Sequence, residues 1–260
     1  MNHIKNKKIK VAIVGCVHGD EVIGKKIINE LKDLKFKKGS LGFFIANQPA
    51  LSKNKRFIKQ DLNRSFPGNI NGVAEEKIAY SLKNKLNKFD VVIDIHATNS
   101  NIDKLAIVTR FDSKIKNLLK LIPANKVALI RKNNFGGKAL INYVKLGISL
   151  EYGPNKSGKN YKKCLKDIKI ILTNLELLPG RKNIFKSKEL YTVSGSYEVS
   201  NNFRPTNCLK DFQLIKKGQF IGQINQKKIK ATKSFYPIFL GKGRYKKTLA
   251  LTAKKERIEL

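Results

Sequence analysis

Three short apolar runs in this chain end on side chains that ionise. Residues 8–14 lead into His18 and Glu21, residues 91–96 finish on His96, and residues 147–151 finish on Glu151. Runs of this length, rich in Val and Ile and stopped by Gly or Pro, read as buried strands. Between the first two runs the period changes. Residues 21–34 carry Val22, Ile23, Ile27, Ile28 and Leu31, and residues 73–86 repeat the same helical spacing. Strands that alternate with amphipathic helices bury their apolar faces in a mixed, mostly parallel sheet with helices on both faces. Ligands in such sheets collect at the carboxyl ends of the strands, which is where His18, His96 and Glu151 fall.

The alternation continues with strands at 41–46, 105–109 and 126–130 and helices around 113–121, 138–145 and 161–177. Residues 48–72 read as a long loop containing Pro49, Pro67, Gly68 and Gly72, and loops of that length inside a compact domain tend to be functional. From about residue 182 the pattern turns to short alternating segments at 190–193, 219–224 and 236–240 separated by Gly, Asn and Lys, the mark of a small all-β unit. Pro179-Gly180 marks the expected boundary. The organisation expected is therefore a catalytic α/β domain over 1–180 and a β domain over 181–260.

A formal charge of +35 points first to nucleic acid, because basic surfaces bind phosphate by releasing counterions. The lysines, however, are spread over nearly the whole chain alongside many asparagines and isoleucines, which is a compositional bias rather than a clustered arginine-and-aromatic module. Cys16, Cys164 and Cys208 are odd in number and widely spaced, against a disulfide framework and in favour of a reducing compartment. No apolar stretch reaches the length of a membrane span, and residues 11–14 are too short for a secretion signal, so a cytoplasmic chain without membrane partners is expected. His3 sits in a polar stretch and reads as solvated.

Two imidazoles and one carboxylate from His18, Glu21 and His96 make the ligand set of a catalytic zinc site, because three protein ligands leave a fourth position open. Such a site needs a proton carrier, and Glu151, alone at the end of an apolar strand, suits a general base. The loop supplies Arg56 and Arg64, two arginines in a chain dominated by lysine. A guanidinium fork matches a carboxylate or a developing oxyanion, while an Asp61–Arg64 pair bracing the loop is the structural alternative.

Gly15-Cys-Val-His18-Gly-Asp-Glu21, Asp61-Leu-Asn63-Arg64, Asp94-Ile-His96 and Leu150-Glu151-Tyr-Gly-Pro154, in this order, resemble the succinylglutamate desuccinylase and aspartoacylase family, a branch of the zinc carboxypeptidase fold. The resemblance is strongest over residues 11–154. It implies one Zn²⁺ held by His18, Glu21 and His96, with Glu151 as general base and Arg56 polarising the scissile carbonyl. It also implies Asn63 and Arg64 on the substrate α-carboxylate. Tyr245, nine residues after Tyr236-Pro237, matches the tyrosine that closes over the site in aspartoacylases. One position departs from the family. Aspartoacylases carry an arginine about ten residues before the catalytic glutamate to read an acidic side chain, and here that neighbourhood holds Ile141.

The expected activity is zinc-dependent hydrolysis of the amide bond of a small, carboxylate-bearing N-acyl amino acid. A metallocarboxypeptidase or peptidoglycan-peptide hydrolase is the alternative within enzymes, and a basic nucleic-acid-binding protein with a non-catalytic metal site is the alternative outside them.

Overall fold

The computed structural model describes residues 8–36, 38–133, 137–155, 158–241 and 247–260. In chain order the first strands and helices are β1 (Lys10–Gly15), α1 (Ile23–Leu31), β2 (Ser40–Ile45), α2 (Gln48–Ser52), α3 (Ala74–Leu86) and β3 (Val91–Ala97). There follow β4 (Leu105–Val108), α4 (Ser113–Leu119), β5 (Lys126–Leu129), β6 (Gly147–Tyr152) and α5 (Gly158–Asn174). The remainder is β7 (Ser187–Glu198), β8 (Arg204–Pro205), β9 (Phe220–Ile224), β10 (Lys227–Lys230), β11 (Tyr236–Ile238) and β12 (Thr248–Glu259).

Among the described residues nine strands form one sheet in the order β11-β12-β7-β5-β4-β6-β3-β1-β2. It is the mixed, mostly parallel sheet expected: β2, β1, β3 and β6 run parallel, β4 runs against β6, and β4, β5 and β7 are again parallel. Alternation along β1 explains why both faces are covered. Val11 and Ile13 pack with Ile27, Ile28 and Leu31 of α1 and with Ile168 and Leu172 of α5, whereas Ala12 and Val14 pack with Ala79, Leu82 and Leu86 of α3. The chain leaves β1 in one direction to reach β2 and returns past it to reach β3. Right-handed crossovers in opposite directions put α1 and α3 on opposite faces and open a crevice at the carboxyl ends of β1 and β3. Ile13 is completely buried, and truncating it to Ala would cost about 2–5 kcal/mol.

Three local expectations are corrected. Residues 138–145 form only a 3₁₀ turn at Leu140–Asn142 instead of a helix: Ala139 is extended and Tyr143 leaves the helical region, while the Leu140 N–H, unpaired at the start of the turn, donates to Asn63 Oδ1 at 2.9 Å. The loop 48–72 contains α2, capped by Asn47, and a second 3₁₀ turn at Leu62–Arg64. Residues 181–260 carry two 12-residue strands, β7 and β12, where the sequence suggests only short segments. These strands pair with each other through two register shifts and join the large sheet through β5, so the Gly and Ser interruptions that look like breaks fall inside one bent ladder. The small sheet β10-β9-β8 sits on its own apolar cluster, which includes Phe203, Ile221 and Phe235. Among the described residues no helix is long and apolar enough to cross a membrane.

Candidate active site

The carboxyl end of β1 turns sharply into the segment that carries His18 and Glu21. Cys16 adopts a left-handed φ of 57° at that turn, and the Glu21 N–H closes it by donating to the His18 carbonyl at 3.1 Å. Gly19 lets a second segment approach: its N–H donates to the Arg56 carbonyl at 3.1 Å, and a Cβ there would lie 2.3 Å from the Ala50 carbonyl carbon. Any side chain at 19 would therefore separate His18 from the arginine loop.

His96 and Glu151 arrive on neighbouring parallel strands in register, with Asp94 opposite Ser149 and His96 opposite Glu151. In β3 the residues Val91, Ile93 and Ile95 face the α1 and α5 side, so strand alternation puts Asp94 and His96 together on the other face. The same alternation in β6 buries Ile148, Leu150 and Tyr152 and leaves Ser149 and Glu151 beside them.

The three side chains expected as ligands converge. Their ligand atoms all lie within 4.8 Å of one another, and all three residues are buried. His18 Nδ1 lies 2.8 Å from Glu21 Oε1, His96 Nδ1 lies 3.0 Å from Glu21 Oε2, and the two Nδ1 atoms are 3.2 Å apart. The outer nitrogens face carboxylates. His96 Nε2 donates to Asp94 Oδ2 at 2.6 Å, and His18 Nε2 donates to Asp61 Oδ1 at 3.2 Å. With protons on the Nε2 atoms, both Nδ1 lone pairs aim at Glu21, an arrangement satisfied by a cation between them or by protons on the Nδ1 atoms. The electrostatics agree. Burial opposes charging His96, but Asp94 and Glu21 overcome it and raise the pKa of His96 well above its ordinary value. Burial would likewise raise Glu21, and the two imidazoles outweigh it and hold the carboxyl well below the usual range. The donor set therefore fits a divalent cation bound by two nitrogens and a carboxylate.

Glu151 behaves differently. Burial pushes its carboxyl up to about 7, against the opposing influence of His96, and its Oε2 is buried without a hydrogen-bond partner among the described residues.

The loop side chains meet the same site. Arg56 gives Nε and Nη2 to Asp61 Oδ2 at 3.2 and 2.9 Å and Nη1 to Glu21 Oε1 at 3.3 Å, so three of the five N–H donors of a guanidinium point at the ligand shell. Asp61 caps the Leu62–Arg64 turn through the Asn63 N–H. Its carboxylate is thus bonded to Arg56 and His18, in place of the Asp61–Arg64 brace considered from sequence. Burial would raise its pKa, and the contacts with His18 and Arg56 hold it below the usual range instead. Arg64 is exposed, donates to the Asn63 carbonyl at 2.8 Å, and lines the cavity together with Asn63. Tyr245 lies outside the described residues.

His18, His96, Glu151, Arg56, Asn63 and Arg64 line one cavity of about 480 Å³, with Glu21 enclosed behind them. Sequence reasoning assigned no role to Asp94, Ser149 or Glu75. Asp94 was detectable, because a fully buried acid two residues before His96 in a strand shares its face. Ser149, whose Oγ donates to Asp94 Oδ2 at 3.2 Å, has no local signal. Neither does Glu75. This buried residue of α3 accepts the backbone N–H groups of Ile58 at 2.7 Å, Lys59 at 3.3 Å and Gln60 at 3.4 Å, and so shapes the arginine loop from below.

Residues 7–175 match the model of the succinylglutamate desuccinylase/aspartoacylase catalytic domain. A probable aspartoacylase from Nostoc sp. is 28% identical over 92% of this chain and 93% of that protein. An N-acyl-aromatic-L-amino acid amidohydrolase (carboxylate-forming) from Xenopus laevis is 28% identical over 64% of this chain and 62% of its own length. Among solved structures, murine aminoacylase 3 superposes with a TM-score of 0.83 at 22% identity, covering 96% of each chain. A succinylglutamate desuccinylase/aspartoacylase from Rhodobacter sphaeroides superposes with a TM-score of 0.73 at 16% identity, covering 96% of this chain and 85% of that one. These structural likenesses establish the fold.

Proposed function

The chain belongs to the succinylglutamate desuccinylase/aspartoacylase family, and from that premise we propose that it is a zinc-dependent hydrolase of the amide bond in small N-acyl amino acids. The observation that carries this reading is the inward-facing set of His18, Glu21 and His96 backed by Asp94 and Asp61, beside a Glu151 whose carboxyl burial brings near neutrality. His18, Glu21 and His96 would hold the zinc, which when bound would supply a Lewis acid and a water of lowered pKa.

The rest of the chemistry falls to the side chains. Glu151 Oε2, buried and unpaired among the described residues, takes the proton of the attacking water and delivers it to the leaving nitrogen. Arg56 keeps two N–H donors beyond those given to Asp61 and Glu21, and these hydrogen-bond the carbonyl oxygen as negative charge develops on it. Arg64 and Asn63 hold the substrate carboxylate at the cavity mouth. Asp94 and Asp61 orient the two imidazoles and keep their inner nitrogens free. Residues 181–260 contribute Phe239, Leu240 and Leu251 to the cavity wall and act as its cover. Cys16 and Cys164, both fully buried as free thiols, support work in a reducing cytoplasm.

The test is hydrolysis of an N-acyl amino acid panel by zinc-reconstituted protein, with zinc content measured in parallel for wild type and His96→Ala. Release of the acyl acid by wild type and loss of both zinc and turnover in the variant are expected. Zinc-replete protein that cleaves no member of the panel, or that instead releases terminal residues from peptides, would overturn the deacylase assignment.

A further inference from the structure

We propose that Tyr152, Asp167 and Lys104 are positioning residues that clamp the carboxyl end of β6 from behind and so fix Glu151 for proton transfer. The inference rests on the proton-transfer role given to Glu151 under the proposed function. It concerns what holds that carboxylate still.

Glu151 is the last residue but one of β6, and strand ends open readily unless they are tied down. On one side it stands opposite His96 of β3, on the other opposite Leu105 of β4. Strand alternation turns Tyr152, the next residue, to the face that α5 covers. There its hydroxyl donates to Asp167 Oδ2 at 3.1 Å. Lys104, the residue before Leu105, gives its Nζ to Oδ1 and Oδ2 of the same carboxylate at 3.1 and 3.0 Å. One side chain of α5 thus ties the residue after Glu151 and the residue before its β4 partner. Backbone bonds complete the arrangement on both edges: the Thr98 N–H donates to the Tyr152 carbonyl at 3.0 Å, and the Gly153 N–H to the Ile102 carbonyl at 2.7 Å.

The chemistry of this set argues for position more than for stability. Tyr152 and Asp167 are 2% and 3% exposed, set among the apolar residues between α5 and the sheet. A buried ion pair gains little net stability there, because desolvation offsets the attraction, and apolar side chains of equal volume would pack at least as well. What hydrogen bonds add is direction and a fixed length. Burial, with Cys164 and Asp167 close by, raises the pKa of Tyr152 well above its ordinary value, so its hydroxyl stays a donor.

Glu151 needs such support. Its Oε2 is buried without a hydrogen-bond partner among the described residues, so its aim depends on the backbone from which it projects. The cavity is lined by Glu151 and not by the three clamp residues, which therefore act through β6. A misplacement of about 1 Å at a reacting group costs about 100-fold in rate.

The test uses Tyr152→Phe, which removes one hydroxyl, and Asp167→Asn, which removes the charge, both with shape retained. On the best N-acyl amino acid and with zinc-reconstituted protein, each should lower kcat by about tenfold or more while KM and zinc content stay within about twofold of wild type. Lys104→Met should lose as much, and Lys104→Arg, which keeps a charged donor, should retain most of the rate. Tyr152→Phe is then repeated in the Glu151→Gln background, where the group it positions is already disabled, and kcat should change by less than about twofold. A tenfold loss there as well would show that the hydroxyl acts elsewhere and would overturn the clamp, as would a lowered melting temperature with unchanged kcat in the folded single variants. Amide hydrogen exchange over residues 147–153 gives an answer that needs no turnover: it should quicken by about tenfold in Tyr152→Phe and Asp167→Asn. That quickening in a protein that hydrolyses no substrate would overturn the deacylase reading and leave the clamp standing. Hydrolysis by wild type with exchange unmoved in both variants would do the reverse.

Discussion

His96 and Glu151 stand opposite each other on parallel strands, where the sheet register sets their separation, whereas Arg56, Asn63 and Arg64 stand on irregular backbone between α2 and α3. The strand side is held by ladder hydrogen bonds and by apolar residues packed on the opposite face of β3 and β6. The loop side is held by single polar groups: Glu75 gathering three backbone N–H groups, Asp61 capping a 3₁₀ turn, and Gly19 admitting the Arg56 carbonyl. A strand residue can lose its function and leave the scaffold intact. On the loop, one buried carboxylate supports several functional side chains at once.

The sharpest test of this contrast is Glu151→Gln. Removing the basic oxygen with little change in shape should lower kcat by about 10²- to 10⁴-fold while zinc content and melting temperature stay at wild-type values. Turnover within a few-fold of wild type would remove Glu151 from proton transfer. Next is Asp94→Asn, which keeps the packing of β3 but removes the charge behind His96. Zinc affinity measured by competition with a chelator should drop about 10- to 100-fold. Unchanged affinity would mean that strand register alone orients the imidazole.

On the loop side, Glu75→Gln replaces a charged acceptor of three backbone donors with a neutral amide, and a loss of about 1–3 kcal/mol in unfolding free energy is expected together with a raised KM. If stability fell and KM did not move, the loop would be held independently of α3 and the contrast between the halves would break. The smallest effect belongs to Arg64→Lys. It exchanges a fork for a point charge on an exposed side chain, so KM should rise by about a few-fold to tenfold with no change in melting temperature. A large drop in melting temperature at constant KM would make Arg64 a brace.

In the sequence, β1, β3 and β6 are legible to within two residues at each end, and so is the position of His18, Glu21, His96 and Glu151 at or just beyond the strand ends. Arg56, Asn63 and Arg64, which line the cavity with His18 and His96, are legible there too. The groups that hold these residues in place are less legible. Asp94 could be inferred from strand alternation. Glu75 could not, because its acceptors for the loop are defined by a contact 15 to 17 positions away in the chain.

By itself the sequence determined which faces of each element are apolar, and with that the layered sheet, the side of α1 and α3, and the convergence of strand ends. These follow from local periodicity, since a period of 2 or 3.6 commits a segment to one conformation and one buried face. Only the tertiary structure decided that Ser149 meets Asp94 and that residues 138–145 make a short 3₁₀ turn whose Leu140 N–H bonds Asn63. It also decided that β7 and β12 continue the large sheet and that Ile107, Ile130, Ile141 and Phe239 enclose one cavity. Each of these depends on the register between segments far apart in the chain, and a one-residue slip would turn every side chain of a strand to the other face.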